Sequence, residues 1–104
     1  TEAALTRGGL CLDSNLKTAA FHGKQLEFSM REFAILEYLM IHMGRPVSAE
    51  ELLEHVWDRE ADPFSNQVKV YISVIRRKLQ AVTDEEIIRS IRGAGYLIDK
   101  EEPL

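Results

Sequence analysis

Residues 66–82, NQVKVYISVIRRKLQAV, constrain the fold of this chain more than any other stretch, because they have the pattern of a two-faced helix. Apolar side chains recur there at steps of four, three and four, at Val68, Ile72, Ile75 and Leu79. A helix turns by about 100° per residue, so these side chains share one face. The pattern predicts a helix that packs on the core through this stripe.

The opposite face of that helix is polar and basic, with small residues and valines in it. The centre of this face carries Asn66, Val70, Ser73 and Arg77. One flank carries Lys69 and Arg76, and the other flank carries Gln67, Val74 and Lys78. In the major groove of DNA, amides and cations meet base edges and phosphates, and a valine can touch a thymine methyl group. This surface therefore favours a DNA recognition helix.

Simpler interpretations of the same residues stay open. Cations at a helix end, such as Arg76, Arg77 and Lys78, also offset the helix dipole when they are only solvated. Val74 can be a core residue of a wider apolar stripe. Burial of Val70 would need a partner on its own side of the helix, either DNA or another subunit.

The net charge of −4 counts against binding to nucleic acid at first sight. The charge is unevenly distributed, however. Residues 1–64 hold six Lys/Arg and eleven Asp/Glu, whereas residues 66–82 hold four cations and no acid. A local basic stripe can bind phosphates on an acidic body, although the summed field weakens non-specific binding.

Other bulk features indicate one cytoplasmic domain. A chain of 104 residues can build a single core, and we expect about residues 5–98 to be ordered. Cys11 is the only cysteine, so no intramolecular disulfide can form, which suits a reducing compartment. No apolar run approaches the roughly 20 residues that span a bilayer, and no signal peptide is visible. The chain begins at Thr1 rather than Met, so we expect it to be part of a longer protein.

The residues before the two-faced helix predict short strands and two further helices. Apolar alternation at residues 10–12, 19–21 and 26–28 predicts three short antiparallel strands. A Ser-x-x-Glu capping box then starts a helix at Ser29, running to Met43, and a second one starts a helix at Ser48, ending near Trp57. The proposed cap of the long helix is Ser65 or Asn66.

After the long helix, alternating apolar residues and a glycine pair predict a β-hairpin over residues 87–98, with Arg92 at its tip. The order of elements indicates an α+β fold: a winged helix-turn-helix with an N-terminal antiparallel β-sheet, three helices and a C-terminal β-hairpin wing. In that plan the third helix, residues 66–80, enters the major groove of DNA. The hairpin reaches phosphates or the neighbouring minor groove.

Three segments resemble the C-terminal effector domain of OmpR/PhoB-type response regulators. They are FSMREFAILEYLMIHMGRPVSAEELLEHVW from Phe28, SNQVKVYISVIRRKL from Ser65 and IIRSIRGAGYLI from Ile87. The strands before them agree with that family's leading four-stranded sheet. The resemblance implies a bacterial two-component transcription factor with an additional receiver domain. A sensor histidine kinase would phosphorylate that receiver, and two copies would pair on tandem DNA half-sites.

The resemblance also assigns positions. Family recognition-helix positions fall on Asn66, Val70, Ser73, Val74 and Arg77, the wing arginine is Arg92, and the loop that touches RNA polymerase is residues 58–64. Many members of that family have more basic residues at the positions of Ser73 and Val74. Many also have Asp or Glu at the position of Lys69 and histidine at the position of Tyr71. With the flanking residues included, we predict DNA contacts from Asn66, Gln67, Lys69, Val70, Tyr71, Ser73, Val74, Arg76, Arg77, Lys78 and Arg92. We predict polymerase contacts from Asp58, Arg59, Glu60 and Asp62.

The alternative function is a winged-helix protein-interaction module that docks on the transcription machinery without reading DNA. The negative net charge and the small side chains of Ser73 and Val74 slightly favour it. We expect no enzyme, cofactor or metal. His22, His42 and His55 lack ligands at metal spacing, and neither a nucleophile elbow nor a phosphate-binding loop occurs.

Overall fold

The structure is a computed structural model that describes residues 4–57 and 66–100. The α+β winged-helix class predicted from the sequence is confirmed. The elements in chain order are β1 (Ala4–Arg7), β2 (Leu10–Asp13), β3 (Thr18–Phe21), β4 (Lys24–Leu26), α1 (Met30–Ile41), α2 (Ala49–Val56), α3 (Gln67–Gln80), β5 (Ile88–Ile91) and β6 (Gly95–Ile98). No helix within the described ranges is long and apolar enough to span a bilayer.

Strands β1 to β4 form an antiparallel sheet in which each strand pairs with the next. Leu10 lies opposite Phe21 and Leu12 lies opposite Ala19, so all four apolar side chains enter the core from one face. The alternation alone predicted three strands and was wrong in that count, because β1 has only partly buried and exposed residues and gives little apolar signal. The family's four-stranded sheet was the better guide. Strand β4 also ends at Leu26, before the predicted Phe28.

The capping box of α1 forms as predicted. The Ser29 hydroxyl accepts a hydrogen bond from the Glu32 amide at 3.2 Å, and the Ser29 amide donates to the Glu32 carboxylate at 2.9 Å. The helix ends at Ile41, two residues before the predicted Met43, because a tighter turn follows it. Gly44 then takes a φ of +86°, the left-handed conformation that ends helices.

Only half of the second capping box forms. The Ser48 hydroxyl accepts from the Glu51 amide at 3.0 Å, as expected for an N-cap. The Glu51 carboxylate does not return to the Ser48 amide, because it accepts hydrogen bonds from Tyr38 and Arg45 instead. These bonds fasten the start of α2 to the end of α1. Leu52 is the buried residue of α2, and its other apolar residues are partly buried.

The predicted apolar stripe of α3 is confirmed, since its four residues are at most 4% exposed. The helix ends at Gln80, as predicted for the recognition helix over residues 66–80 and two residues before the end of the two-faced segment 66–82. The predicted side-chain cap is wrong for Asn66, which stands at the N-cap position without a cap hydrogen bond. Its φ of −91° and ψ of 22° differ from the extended backbone that side-chain capping uses. Ser65, the other predicted cap, lies outside the described residues.

Strands β5 and β6 form the predicted hairpin, called the wing below, and its base is bonded to the chain before α2. The Val47 amide donates to the Tyr96 carbonyl, and the Tyr96 amide donates to the Val47 carbonyl, both at 2.8 Å. The Gly44 amide also donates to the Ile98 carbonyl at 2.9 Å. The backbone of the wing comes closest to the backbone of Val47 and Ser48 at Gly95. Gly95 has no side chain, and its φ is +128°.

Candidate nucleic-acid interface

The face of α3 opposite its buried stripe is open to solvent. It exposes the side chains of Asn66, Gln67, Lys69, Val70, Ser73 and Arg77. Val70 is 58% exposed, although its neighbours Val68 and Ile72 are buried. Val74 is half-buried at the edge of this face. The sequence left open whether Val74 belongs to the core or to the surface, and its position is intermediate between the two. The exposed residues define the outer face of α3.

Tyr71 lies on the flank of α3 that faces the end of α2. It is half-buried, and its ring meets the Trp57 ring edge-on with 5.3 Å between centroids. The Arg31 guanidinium stands 4.7 Å from the centroid of the same Trp57 ring. These contacts hold the first half of α3 against α1 and α2, and they place Tyr71 beside the outer face rather than at its centre.

Two cations predicted to contact phosphates are hydrogen-bonded inside the domain. The Arg76 guanidinium donates to the Ile88 carbonyl and to the Ser90 hydroxyl, both on β5. The Lys78 ammonium lies 2.6 Å from the Glu32 carboxylate and above the Phe28 ring. Their DNA contacts stay a prediction, but neither side chain belongs to the outer face.

The Lys78 pair links the end of α3 to the first turn of α1. Burial by itself raises the pKa of Glu32. Hydrogen bonds from Lys78 and from the Ser29 backbone outweigh that effect, so the pKa of Glu32 is lowered overall. The carboxylate is therefore charged at neutral pH, and it completes both an N-cap and an ion pair.

The tip of the wing presents Arg92 to solvent. The Ala94 amide donates to the Ile91 carbonyl at 2.9 Å and closes the turn, in which Gly93 has a φ of +79°. Because Arg76 on α3 bonds Ser90, two residues before Arg92, the wing lies directly beside α3. Sequence reasoning missed Ser90, since a lone serine in a strand gives no signal of its partner.

The cations of the interface are not neutralised by carboxylates of the described part of the domain, unlike several cations elsewhere on the surface. Arg7, Lys17, Arg45, Lys78 and Arg89 form ion pairs within the described residues. Within the same part of the chain, Lys69, Arg77 and Arg92 have no ion-pair partner. The outer face and the wing tip therefore keep positive charge that the domain itself does not neutralise. The predicted polymerase loop, with Asp58, Arg59, Glu60 and Asp62, lies outside the described residues.

The Tyr38–Glu51–Arg45 cluster sets the position of α2 and was not foreseen from the sequence. The Tyr38 hydroxyl donates to the Glu51 carboxylate at 2.6 Å, and Arg45 donates to both of its oxygens at 3.0 and 2.7 Å. The pKa of Glu51 is lowered from 4.5 to about 2. The hydrogen bonds from Arg45 are the largest cause, and the hydrogen bond from Tyr38 is the second. The carboxylate thus stays charged in mild acid.

We expect Glu51→Gln to reduce the dependence of stability on pH. Because the pKa of Glu51 is lower in the folded state, its charge stabilises the fold above pH 4.5, and this stabilisation is lost as the pH falls towards 2. The side chains of Glu51 and Arg45 are 23% and 49% exposed. Solvent screening therefore limits the effect to about 1 kcal/mol. Urea unfolding of the wild type and of Glu51→Gln near pH 6 and near pH 3 measures this effect. If the difference in the free energy of unfolding between the two proteins were equal at both pH values, the lowered pKa of Glu51 would be contradicted.

Comparisons with known proteins identify the family of this domain. Residues 23–98 match the family described as "Transcriptional regulatory protein, C terminal". The chain is 43% identical over 94 residues to the transcriptional regulatory protein CutR of Streptomyces coelicolor, covering 90% of this chain and 42% of CutR. It is 32% identical over 90 residues to the response regulator ArlR of Staphylococcus haemolyticus, covering 86% of this chain and 41% of ArlR. The chain thus spans about two-fifths of the length of these curated relatives.

Two solved structures share the fold over nearly the whole chain. The DNA-binding domain of CpxR from E. coli superposes with a TM-score of 0.83 at 30% identity, covering 97% of this chain and all of that domain. The RstA DNA-binding domain of Klebsiella pneumoniae, solved in complex with the RstA box, gives a TM-score of 0.83 at 26% identity, covering 94% and 98%. The chain belongs to the family of winged-helix C-terminal domains of transcriptional regulatory proteins, those of OmpR/PhoB-type response regulators.

Proposed function

We propose that this domain binds specific double-stranded DNA, with α3 in the major groove and the wing at the adjacent minor groove. The observation that carries the proposal is the outer face of α3. It stays exposed, polar and positively charged while the opposite side of the same helix is buried. The RstA domain, which has the same fold, was solved in complex with the RstA box, and this supports the proposal.

Each part of the outer face has chemistry suited to one component of DNA. Asn66 and Gln67 carry amides that can both donate to and accept from base edges. Val70 offers a methyl surface to a thymine. Lys69 and Arg77, with Arg92 on the wing, supply charge to phosphates, and Arg77 can also bond a guanine edge. Ser73 is short, and Val74 lies half-buried beside it, so this part of the helix lets the backbone approach the groove closely.

The expected salt dependence tests the electrostatic part of the proposal. Three cations that each neutralise one phosphate predict a slope of about −3 in a plot of log K against log salt. Fluorescence anisotropy would measure it with a duplex selected from a random pool, and with a scrambled duplex as the control. A flat salt dependence combined with tight binding to a polymerase subunit would instead favour the protein-interaction module.

The remaining partners belong to the same proposal. As the effector domain of a longer regulator, the protein would respond to a sensor histidine kinase through a receiver domain and would contact RNA polymerase through residues 58–64. With few long cations at the centre of the outer face, one domain would bind DNA modestly. Pairing of two copies on tandem half-sites would raise the effective concentration and supply tight binding.

A further inference from the structure

We infer that Arg76 is a positioning residue that holds the wing at a fixed distance from α3. This inference rests on the DNA-binding function proposed above. It gives Arg76 a different role from that of the cations on the outer face, because it acts on DNA through the wing and through Arg92.

The contacts of Arg76 join α3 to both strands of the wing. Its Nε and Nη2 atoms donate to the Ile88 carbonyl at 3.3 and 3.1 Å, and Nη2 also donates to the Ser90 hydroxyl at 2.7 Å. The guanidinium carbon stands 5.8 Å from the centroid of the Tyr96 ring. Ser90 and Tyr96 are directly opposite each other in the hairpin, so one side chain contacts a complete cross-strand pair.

A two-stranded hairpin is only marginally stable by itself, so its contacts with the domain decide its position. Ile88, Leu97 and Ile98 bury one side of the wing in the core, and polar contacts hold each strand in addition. Strand β6 is held by its backbone bonds to Val47. Strand β5 runs on the other side of the hairpin, and Arg76 bonds it at Ile88 and Ser90. A planar guanidinium with fixed donor directions can hold two acceptors at once, which an ammonium cannot do with the same geometry.

The acceptors of Arg76 are a carbonyl and a hydroxyl, and both are neutral. No carboxylate within the described residues forms an ion pair with Arg76, in contrast to Lys78, which follows on the same helix and pairs with Glu32. Bonds from a charged donor to neutral acceptors are stronger than neutral ones. They fix the wing without adding negative charge beside the surface that would face phosphates.

The geometry separates this role from a direct phosphate contact, and a double-mutant cycle can distinguish them. The proteins to compare are the wild type, Arg76→Ala, Arg92→Ala and the double variant, each measured on the selected duplex at several salt concentrations. If Arg76 positions the wing, loss of either arginine removes the same contact. Each single variant should then bind about tenfold more weakly, and the double variant should be no weaker than either.

The salt slope gives a second readout of the same cycle. Loss of one phosphate contact reduces the slope by about 1. We expect a reduction of about 1 for each single variant and also for the double variant. If instead Arg76 bound its own phosphate, the losses of affinity would multiply and the slope of the double variant would fall by about 2, which would overturn the inference.

Two milder variants guard against a general loss of structure. Arg76→Lys keeps the charge but cannot hold both acceptors, so we expect it to behave like Arg76→Ala; recovery of wild-type affinity by lysine would contradict positioning. Ser90→Ala keeps the charge of Arg76 and removes one acceptor. Like Arg76→Ala, Ser90→Ala should therefore lower the affinity for the selected duplex, because it loosens the wing that carries Arg92.

Hydrogen exchange in the DNA-free domain makes the two proposals separable. With Arg76→Ala, amides of β5 and β6 should exchange faster, while amides of the buried side of α3 keep their protection. Unchanged exchange in the wing together with normal DNA binding would overturn the role of Arg76 alone. A wild-type domain that binds no duplex would overturn the DNA-binding function, and with it any action of Arg76 on DNA.

Discussion

Gly95→Ala is expected to destabilise the domain by about 3 kcal/mol or more, a large effect for the addition of a single methyl group. A Cβ atom at this position would overlap the Val47 carbonyl oxygen, and it would lie 2.6 Å from the Val47 carbonyl carbon and 2.7 Å from the Ser48 Cα. All three atoms are backbone, so no side-chain rotation can make room. The φ of +128° adds strain for any residue with a side chain.

Gly93→Ala is the matched control. Gly93 also has a positive φ, of +79°, but no atom lies within 4 Å of the position its Cβ would take. It should cost only the conformational strain, about 1–2 kcal/mol. Urea unfolding of both variants measures the difference. Equal losses in the two variants would mean that the close approach of Val47 does not decide the effect.

Arg77→Ala is expected to weaken specific DNA binding by about 1–3 kcal/mol, the range for a good base contact. Arg77 is exposed on the outer face of α3 and has no ion-pair partner within the described residues. Its removal therefore takes away a cation without disturbing a contact inside the domain. Anisotropy titrations with the selected and the scrambled duplex measure the loss. A base contact reduces affinity for the selected duplex more than for the scrambled one, whereas a phosphate contact reduces both alike.

Arg89→Ala makes the same change of charge at a different place. Arg89 is an exposed arginine on β5 that pairs with Asp99 at 2.8 Å. Because its charge is already balanced, its loss should change affinity much less than the loss of Arg77. If the two variants lost the same affinity, net charge rather than position would explain the effect, and Arg77 would not be a specific contact.

The elements of the fold could be predicted because they depend on local patterns. The stripe of α3, the capping box at Ser29 and the glycines of the wing each express their structure within a few residues. The first strand was missed by alternation because it lies at the edge of the sheet with one face in solvent. The absence of a side-chain cap at Asn66 was not predicted because capping depends on φ and ψ, which the residue type does not determine.

The orientation of the basic side chains could not be predicted in the same way. Arg76, Arg77 and Lys78 are consecutive, and their sequence positions alone make them similar. What separates them is distant in the chain: Lys78 meets Glu32, 46 residues away, and Arg76 meets a backbone carbonyl at Ile88. A carbonyl acceptor leaves no trace in the sequence. Only the packing of α3 between α1 and the wing assigns one arginine to the open surface and the other to the contact with the wing.

The bonds between Val47 and Tyr96 are made by backbone atoms, and they impose almost no demand on side chains apart from the absence of one at Gly95. Substitutions at the wing tip, residues 92–94, can therefore accumulate during evolution without detaching the wing from its base. Under the DNA-binding function proposed above, related domains can change the contacts of the tip while keeping the same attachment. Divergence within such a lineage should then concentrate at the tip and spare the glycine at the base.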